Sequence, residues 1–171
     1  AFKMIGVSDE TYNEFIREKI AELVDLLEEQ KRQGKRARLS VKDLEKSILK
    51  LKEKLAARLD QSEKDKVVTF EELGVDAIFV DEADKFKNLA YHTKIENVRG
   101  LGSPEGNDKT EDLMMKTVLL RRQNSKIVFA TGTPISNTMA EVHNMMRYLQ
   151  PELLDERGIK HFDDWANMFG E

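Results

Sequence analysis

Two short apolar runs, 75–80 (VDAIFV) and 126–130 (KIVFA), each stop abruptly at a polar loop. No other feature constrains the fold as much. β-rich runs of this length that end in polar loops are typical of strands buried in a parallel sheet. In open α/β sheets, ligands sit beyond the carboxyl ends of such strands. The two loops, Asp81-Glu82-Ala83-Asp84 and Thr131-Gly132-Thr133-Pro134, therefore lie where a site is expected.

Helical stretches separate and follow the strands. Residues 112–122 carry Leu113, Met114, Val118 and Leu119 and end in basic residues, which suits a helix C-terminus. Met139, Val142, Met145, Met146 and Leu149 form a second stripe, stopped by Pro151. These methionines read as core rather than ligands. The stretch 94–109 contains Gly100, Gly102, Pro104 and Gly106 and reads as a loop. In the tail, Phe162, Trp165, Met168 and Phe169 fall at helical spacing and predict a docking helix.

The first third of the chain has a different pattern. Tyr12, Ile16, Ile20, Leu23 and Leu27 recur at spacings of three and four, so they share one helix face. Ser8 or Asp9 is placed to cap that helix. Residues 30–38 (QKRQGKRAR) lose the apolar pattern and read as a turn with a basic tip, formed by Lys31, Arg32, Lys35, Arg36 and Arg38. Solvated charge on that tip is at least as good a reading as phosphate contact. Ser40 stands three residues before Asp43, a weak capping-box signal. Val41, Leu44, Ile48, Leu51 and Leu55 continue a heptad-like stripe, with Leu59 one turn further on. Two antiparallel helices zipped along these stripes satisfy both patterns, as a hairpin packed on a larger domain.

Composition sets the outer limits. The chain has 171 residues, 40% hydrophobic and 35% charged, enough apolar content to bury a core. The net charge of -4 gives no general argument for a nucleic-acid partner. With no cysteine, disulfides and thiolate metal sites are excluded. No apolar run approaches the roughly 20 residues of a membrane span, so no membrane partner and a cytoplasmic location are the default expectations. His92, His143 and His161 are too dispersed for a metal site.

An acid pair at a strand end is what nucleotide hydrolysis needs. One carboxylate can hold magnesium through water, since this ion prefers oxygen ligands and keeps part of its hydration shell. The next can orient and deprotonate an attacking water. Alone, an Asp-Glu dipeptide is more often a surface turn. The second loop changes the balance. Asp81-Glu82-Ala83-Asp84 with the trailing Lys87-Asn88, followed by Thr131-Gly132-Thr133-Pro134-Ile135-Ser136-Asn137, resembles motifs II and III of the helicase superfamily that includes the Swi/Snf-type remodelling ATPases and the DEAD-box proteins. The two motifs stand in the right order, each after a predicted strand, and the likeness covers about residues 67–150. The tail from Tyr148-Leu149-Gln150-Pro151 through Trp165 to Phe169-Gly170-Glu171 is similar to that of phage and mobile-element helicases, some fused to a DNA methyltransferase.

The resemblance implies an α/β fold: part of a RecA-like parallel sheet of the P-loop NTPase type, with the helical hairpin inserted. It divides the chain into a short strand and hairpin (1–66), a partial motor lobe (67–150) and a docking helix (151–171). It implies ATP and Mg2+ as cofactors, with Asp81 at the metal, Glu82 on the hydrolytic water and Asp84 beside the nucleotide. Thr131, Gly132 and Thr133 would couple nucleotide state to movement on nucleic acid, with DNA the expected substrate. Two departures stand out. Asp84 occupies the position where Swi/Snf-type boxes end in His. No Gly-x-x-x-x-Gly-Lys-Ser/Thr loop occurs anywhere in the 171 residues, so the phosphate cradle and a second lobe are expected elsewhere in a longer protein. The competing reading is a non-catalytic interaction module built on the hairpin, with the acid box a plain turn.

Overall fold

A computed structural model describes residues 5–33, 38–61, 68–95 and 106–169. The chain divides into two compact units at the Leu73/Gly74 boundary.

The first unit is a helical hairpin. Helix α1 spans Asp9–Gln33 and α2 spans Arg38–Gln61. Ser8 caps α1, its Oγ accepting the Thr11 amide at 3.2 Å. Asp9 and Glu10 in the first turn and Lys31 and Arg32 in the last complement the helix dipole. Lys31 pairs with Glu45 at 3.1 Å, and Arg58 pairs with Asp9 at 2.7 Å. The end of each helix therefore lies beside the start of the other, and the hairpin is antiparallel. Ile16, Leu23, Leu44, Ile48 and Leu51 are buried between the helices, flanked by Tyr12, Ile20, Leu27 and Leu55. Each fully buried side chain of this kind contributes about 1.5–3 kcal/mol before chain entropy is counted. Leu59, which continues the stripe in sequence, is instead 52% exposed. Helix α1 continues through Gln33 and α2 begins at Arg38, so the turn is shorter than the expected 30–38; its remaining residues 34–37, with Lys35 and Arg36 of the basic tip, lie outside those described.

A clasp closes the base of the hairpin. Glu71, in a short 3-10 turn over Glu71–Leu73, accepts the Ser8 amide on both carboxylate oxygens at 3.0 Å. It also accepts the Ser8 hydroxyl at 2.9 Å and the Thr11 hydroxyl at 2.5 Å. Burial pushes the Glu71 carboxyl up, but these hydrogen bonds outweigh it and hold the group below its ordinary value. The Phe70 amide donates to the Gly6 carbonyl at 2.8 Å. Residues as late as Leu73 thus belong to the hairpin unit. Gly6, Val7 and Ser8 are irregular, and residues 1–4, on which the short strand expected at the start also falls, lie outside those described.

The second unit is mixed α/β and mostly helical. Strands β1 (Ala77–Val80) and β2 (Lys126–Phe129) pair in parallel, with Ala77 opposite Lys126 and Val80 opposite Phe129. The expected parallel strands are present, each slightly shorter than its apolar run. Helix α3 (Asp108–Arg122) makes the crossover; Asn107 and Thr110 form its capping box. Helices α4 (Met139–Leu149), α5 (Pro151–Glu156) and α6 (Phe162–Phe169) follow β2. Pro151 both ends α4 and opens α5, where its missing N–H costs nothing.

Burial corrects two expectations. The strands were expected to be buried, yet only one of their two faces is covered. Val80 is buried with Leu89, Leu113 and Tyr148, and Ile78 and Phe129 pack against that cluster. On the other face, Phe79 is 75% and its register partner Val128 41% exposed. Among the described residues, the helices cover one side only. The second concerns α4: Val142, Met145 and Met146 of the expected stripe do pack against the cores, but the residues most deeply buried are others. Ala140, Glu141, His143, Asn144 and Tyr148 are buried, while Met139 and Leu149 are exposed. Polar groups face inward because they hold the backbone that follows β1, as described below. The tail helix α6 does dock. Phe162 and Trp165 are buried with Tyr91, Ala140, Leu154 and Ile159, although Met168 and Phe169 stay half-exposed. Most of the expected loop over 94–109 lies outside the described residues.

Candidate functional site at the strand ends

The loops leaving β1 and β2 meet at the carboxyl edge of the sheet. The parallel ladder continues into them: the Ala130 amide donates to the Val80 carbonyl at 2.9 Å, and the Ala83 amide donates back to the Ala130 carbonyl at 3.0 Å. Parallel pairing at this register brings residues 81–84 alongside 130–133.

Asp81 and Glu82 are both exposed. Asp81 turns the chain by accepting the Glu82 amide on Oδ1 at 2.9 Å, a local carboxylate-to-backbone bond that stabilises turns. Glu82 sits in the left-handed region at φ 54°, ψ 46°. A side chain there costs about 1–2 kcal/mol relative to an ordinary conformation. The turn sends Glu82 off the path that a continued strand would take. Among the described residues, no lysine or arginine pairs with either carboxylate. A short 3-10 turn over Ala83–Phe86 follows, with Ala83 wholly buried.

Asp84 is half-buried and joins the second loop directly. The Thr131 hydroxyl donates to Asp84 Oδ1 at 3.0 Å, and the Thr133 amide donates to the Thr131 oxygen at 3.1 Å. Thr131 thus receives one hydrogen bond and gives another, linking the acid box to the Thr-Gly-Thr-Pro turn. Gly132 and Thr133 are exposed at the tip, and a Cβ on Gly132 would meet nothing. The structure brings Asp84, Thr131 and Thr133 into one hydrogen-bonded chain. It places Asp81 and Glu82 at the same edge with open carboxylates.

Sequence reasoning missed a second layer beneath this edge. Lys87, three residues after the box, pairs with Glu141 at 3.2 Å and also donates to the Ser136 hydroxyl. Both side chains are largely buried, at 13% and 5% exposure. Glu141 Oε2 accepts the backbone amides of Ser136 at 2.8 Å and Asn137 at 3.2 Å. Burial pushes the Glu141 carboxyl up, but these two amides and the Lys87 ammonium outweigh it and hold the group below its ordinary value. One turn along α4, Asn144 donates to the carbonyls of Lys87 at 2.9 Å and Leu89 at 3.0 Å. Arg147 donates to the Ala90 carbonyl at 2.6 Å. Residues 87–90 carry no secondary structure; α4 satisfies the carbonyls of Lys87, Leu89 and Ala90, and Thr110 of α3 that of Asn88. A signal for Glu141 was present: Thr138-Met139-Ala140-Glu141 has capping-box spacing. In the structure, Glu141 reaches past Thr138 to the two preceding amides.

The donor set at the edge suits a hard cation. It consists of oxygen ligands alone, two of them open carboxylates, and lacks the nitrogen and sulfur groups that favour zinc. The described residues contain no cluster of three or more His, Cys, Asp or Glu that would hold an ion by protein ligands alone. Magnesium held largely through water by one or two carboxylates needs no such cluster. No helix among the described residues is long and apolar enough to cross a membrane.

Among curated proteins and solved structures, none matches the chain. A family model described as "Probable helicase domain" matches it over residues 1–171. The match covers both units and the whole of the strand-end site, and the chain belongs to this probable helicase domain family.

Proposed function

We propose that this chain is the part of a nucleic-acid-dependent ATPase motor that carries the water-activating and coupling loops. The motor is a helicase or translocase of Swi/Snf type built on a RecA-like sheet, with DNA its substrate. One observation carries the reading: the 3.0 Å hydrogen bond from Thr131 to Asp84, which joins the acid box and the Thr-Gly-Thr-Pro turn at adjacent parallel strand ends. The parallel register brings the two loops together, and the side-chain bond between them ties the acid box to the Thr-Gly-Thr-Pro turn.

Asp81, whose Oδ1 accepts the Glu82 amide, would hold magnesium through water. When bound, the ion neutralises charge on the ATP phosphates. Glu82, turned out of the strand path, orients the attacking water and takes its proton. Asp84 and Thr131 pass changes at the nucleotide to the 131–137 turn. No phosphate-binding loop occurs in the 171 residues, so another segment cradles the phosphates and a second lobe completes the site.

The test uses the full-length protein that supplies these parts. Glu82→Gln keeps shape but removes the base; ATP binding should persist while hydrolysis falls about 10²–10⁴-fold. Asp81→Asn should weaken magnesium-dependent ATP binding. Thr133→Ala should leave hydrolysis and impair movement on DNA. The 171-residue chain by itself should show no turnover. Stimulated hydrolysis near wild type in Glu82→Gln would discard the motor reading in favour of an interaction module built on the hairpin.

A further inference from the structure

We propose that Lys87 and Glu141 form a positioning brace that makes the acid-box loop and the 131–137 turn move as one body. The loops meet through the backbone bond from Ala83 to Ala130 and, at the surface, through Asp84 and Thr131. The backbone bond holds only the first residues of each loop, and the side-chain bond lies between half-exposed groups and competes with water. The brace lies beneath it. Lys87 belongs to the first loop and Glu141 to the helix after the second. The Glu141 carboxylate is shared between the Lys87 ammonium on one oxygen and the Ser136 and Asn137 amides on the other. Each oxygen therefore grips a different loop.

Burial makes the contact stiff. Removing one partner of a desolvated, hydrogen-bonded pair leaves the other charge uncompensated, so the pair does not part readily. Asn144 and Arg147 hold the same 87–90 backbone from the next turns of α4. A shift of the acid box must then carry α4 and the turn with it, or break the pair. Lys87 and Glu141 touch neither the water nor the metal position; they act through Asp84 and the turn. Their role in coupling rests on the motor reading above, whereas the brace itself stands on the geometry.

Amide hydrogen exchange on the 171-residue chain tests the brace without ATP. Lys87→Met should speed exchange at Ser136 and Asn137. It should also speed exchange about tenfold at Ala83, which bonds to Ala130 and does not touch Lys87. Lys87→Arg, which keeps the charge, should restore the slow rates. Leu120, buried in α3, reports unfolding of the whole unit. Should it accelerate as much as Ala83, Glu141→Gln, which preserves the acceptor, is read in the same way. Acceleration confined to Ser136 and Asn137 refutes the brace. In the full-length protein, Lys87→Met should lower nucleic-acid stimulation of kcat about tenfold with KM for ATP unchanged. Equal loss in kcat and in ATP affinity, or full stimulation, refutes its coupling role. Absence of any turnover in the wild-type protein overturns the motor reading and leaves the exchange result to decide the brace.

Discussion

Lowering the pH from 7 to 5 should destabilise the α/β unit through one residue, His143. Its ring is buried on the inner face of α4, 5.6 Å from both Phe162 and Trp165 by centroid distance. Nε2 lies 3.1 Å from the Lys160 carbonyl, which accepts a hydrogen bond from the neutral ring. Burial, and then the Arg147 guanidinium, push its pKa down to about 4 from 6.5. The unfolded chain therefore binds a proton that the folded one refuses between these values. Stability is fully present above 6.5 and is lost as the pH falls towards 4. From pH 7 to pH 5 the loss from this group reaches about 2 kcal/mol. Glu71 and Glu141 add little in that interval, because their depressed values place their titration below 4.5. Trp165, the only tryptophan, lies beside His143 and reports this unit by fluorescence. Urea unfolding followed at Trp165 should show the loss in wild type and its absence in His143→Phe. Equal losses in the two proteins would refute the argument, since the proton uptake would then lie elsewhere.

Two further predictions concern stability. Leu51→Ala removes a buried side chain from the hairpin seam and should cost about 2–5 kcal/mol. Glu53→Ala on the exposed face should stay within about 0.5 kcal/mol, both read by helical circular dichroism in urea. Gly106→Ala places a Cβ 2.6 Å from the Ala90 nitrogen, backbone that cannot rotate away, and should cost about 1–3 kcal/mol in Trp165-detected unfolding. A wild-type midpoint for Gly106→Ala would show that residues 90 and 106 do not approach each other.

What could be read from the sequence follows from what local patterns record. The hairpin seam was legible because Ile16, Leu23, Leu44, Ile48 and Leu51 obey helical spacing and need only each other. The strands were legible because β-branched runs cut off by polar loops have few other uses. Glu71 was not legible, since its partners Ser8 and Thr11 lie some 60 residues away and nothing local marks an acid in a 3-10 turn as their acceptor. The exposed face of Phe79 and Val128 was missed for another reason: 77–80 and 127–130 are apolar at every position, and such a stretch does not say which face is covered.

The α4 stripe shows where periodicity alone misleads. Counting apolar residues placed Val142, Met145 and Met146 against the cores correctly, but it also turned Met139 and Leu149 inward, and it missed that Glu141, His143 and Asn144 are buried. An apolar face can cover apolar side chains, but residues 87–90 present bare carbonyls that only donors can satisfy. Asn144 and Arg147 supply donors for three of the four, and Glu141 answers Lys87 and two amides just before the helix. The departure from apolar patterning therefore falls where irregular backbone leaves the sheet edge. Local rules give way at sites whose geometry has been fixed for another purpose. The polar inner face of α4 is thus a physical account, independent of motif resemblance, of how the loops at the ends of β1 and β2 are held.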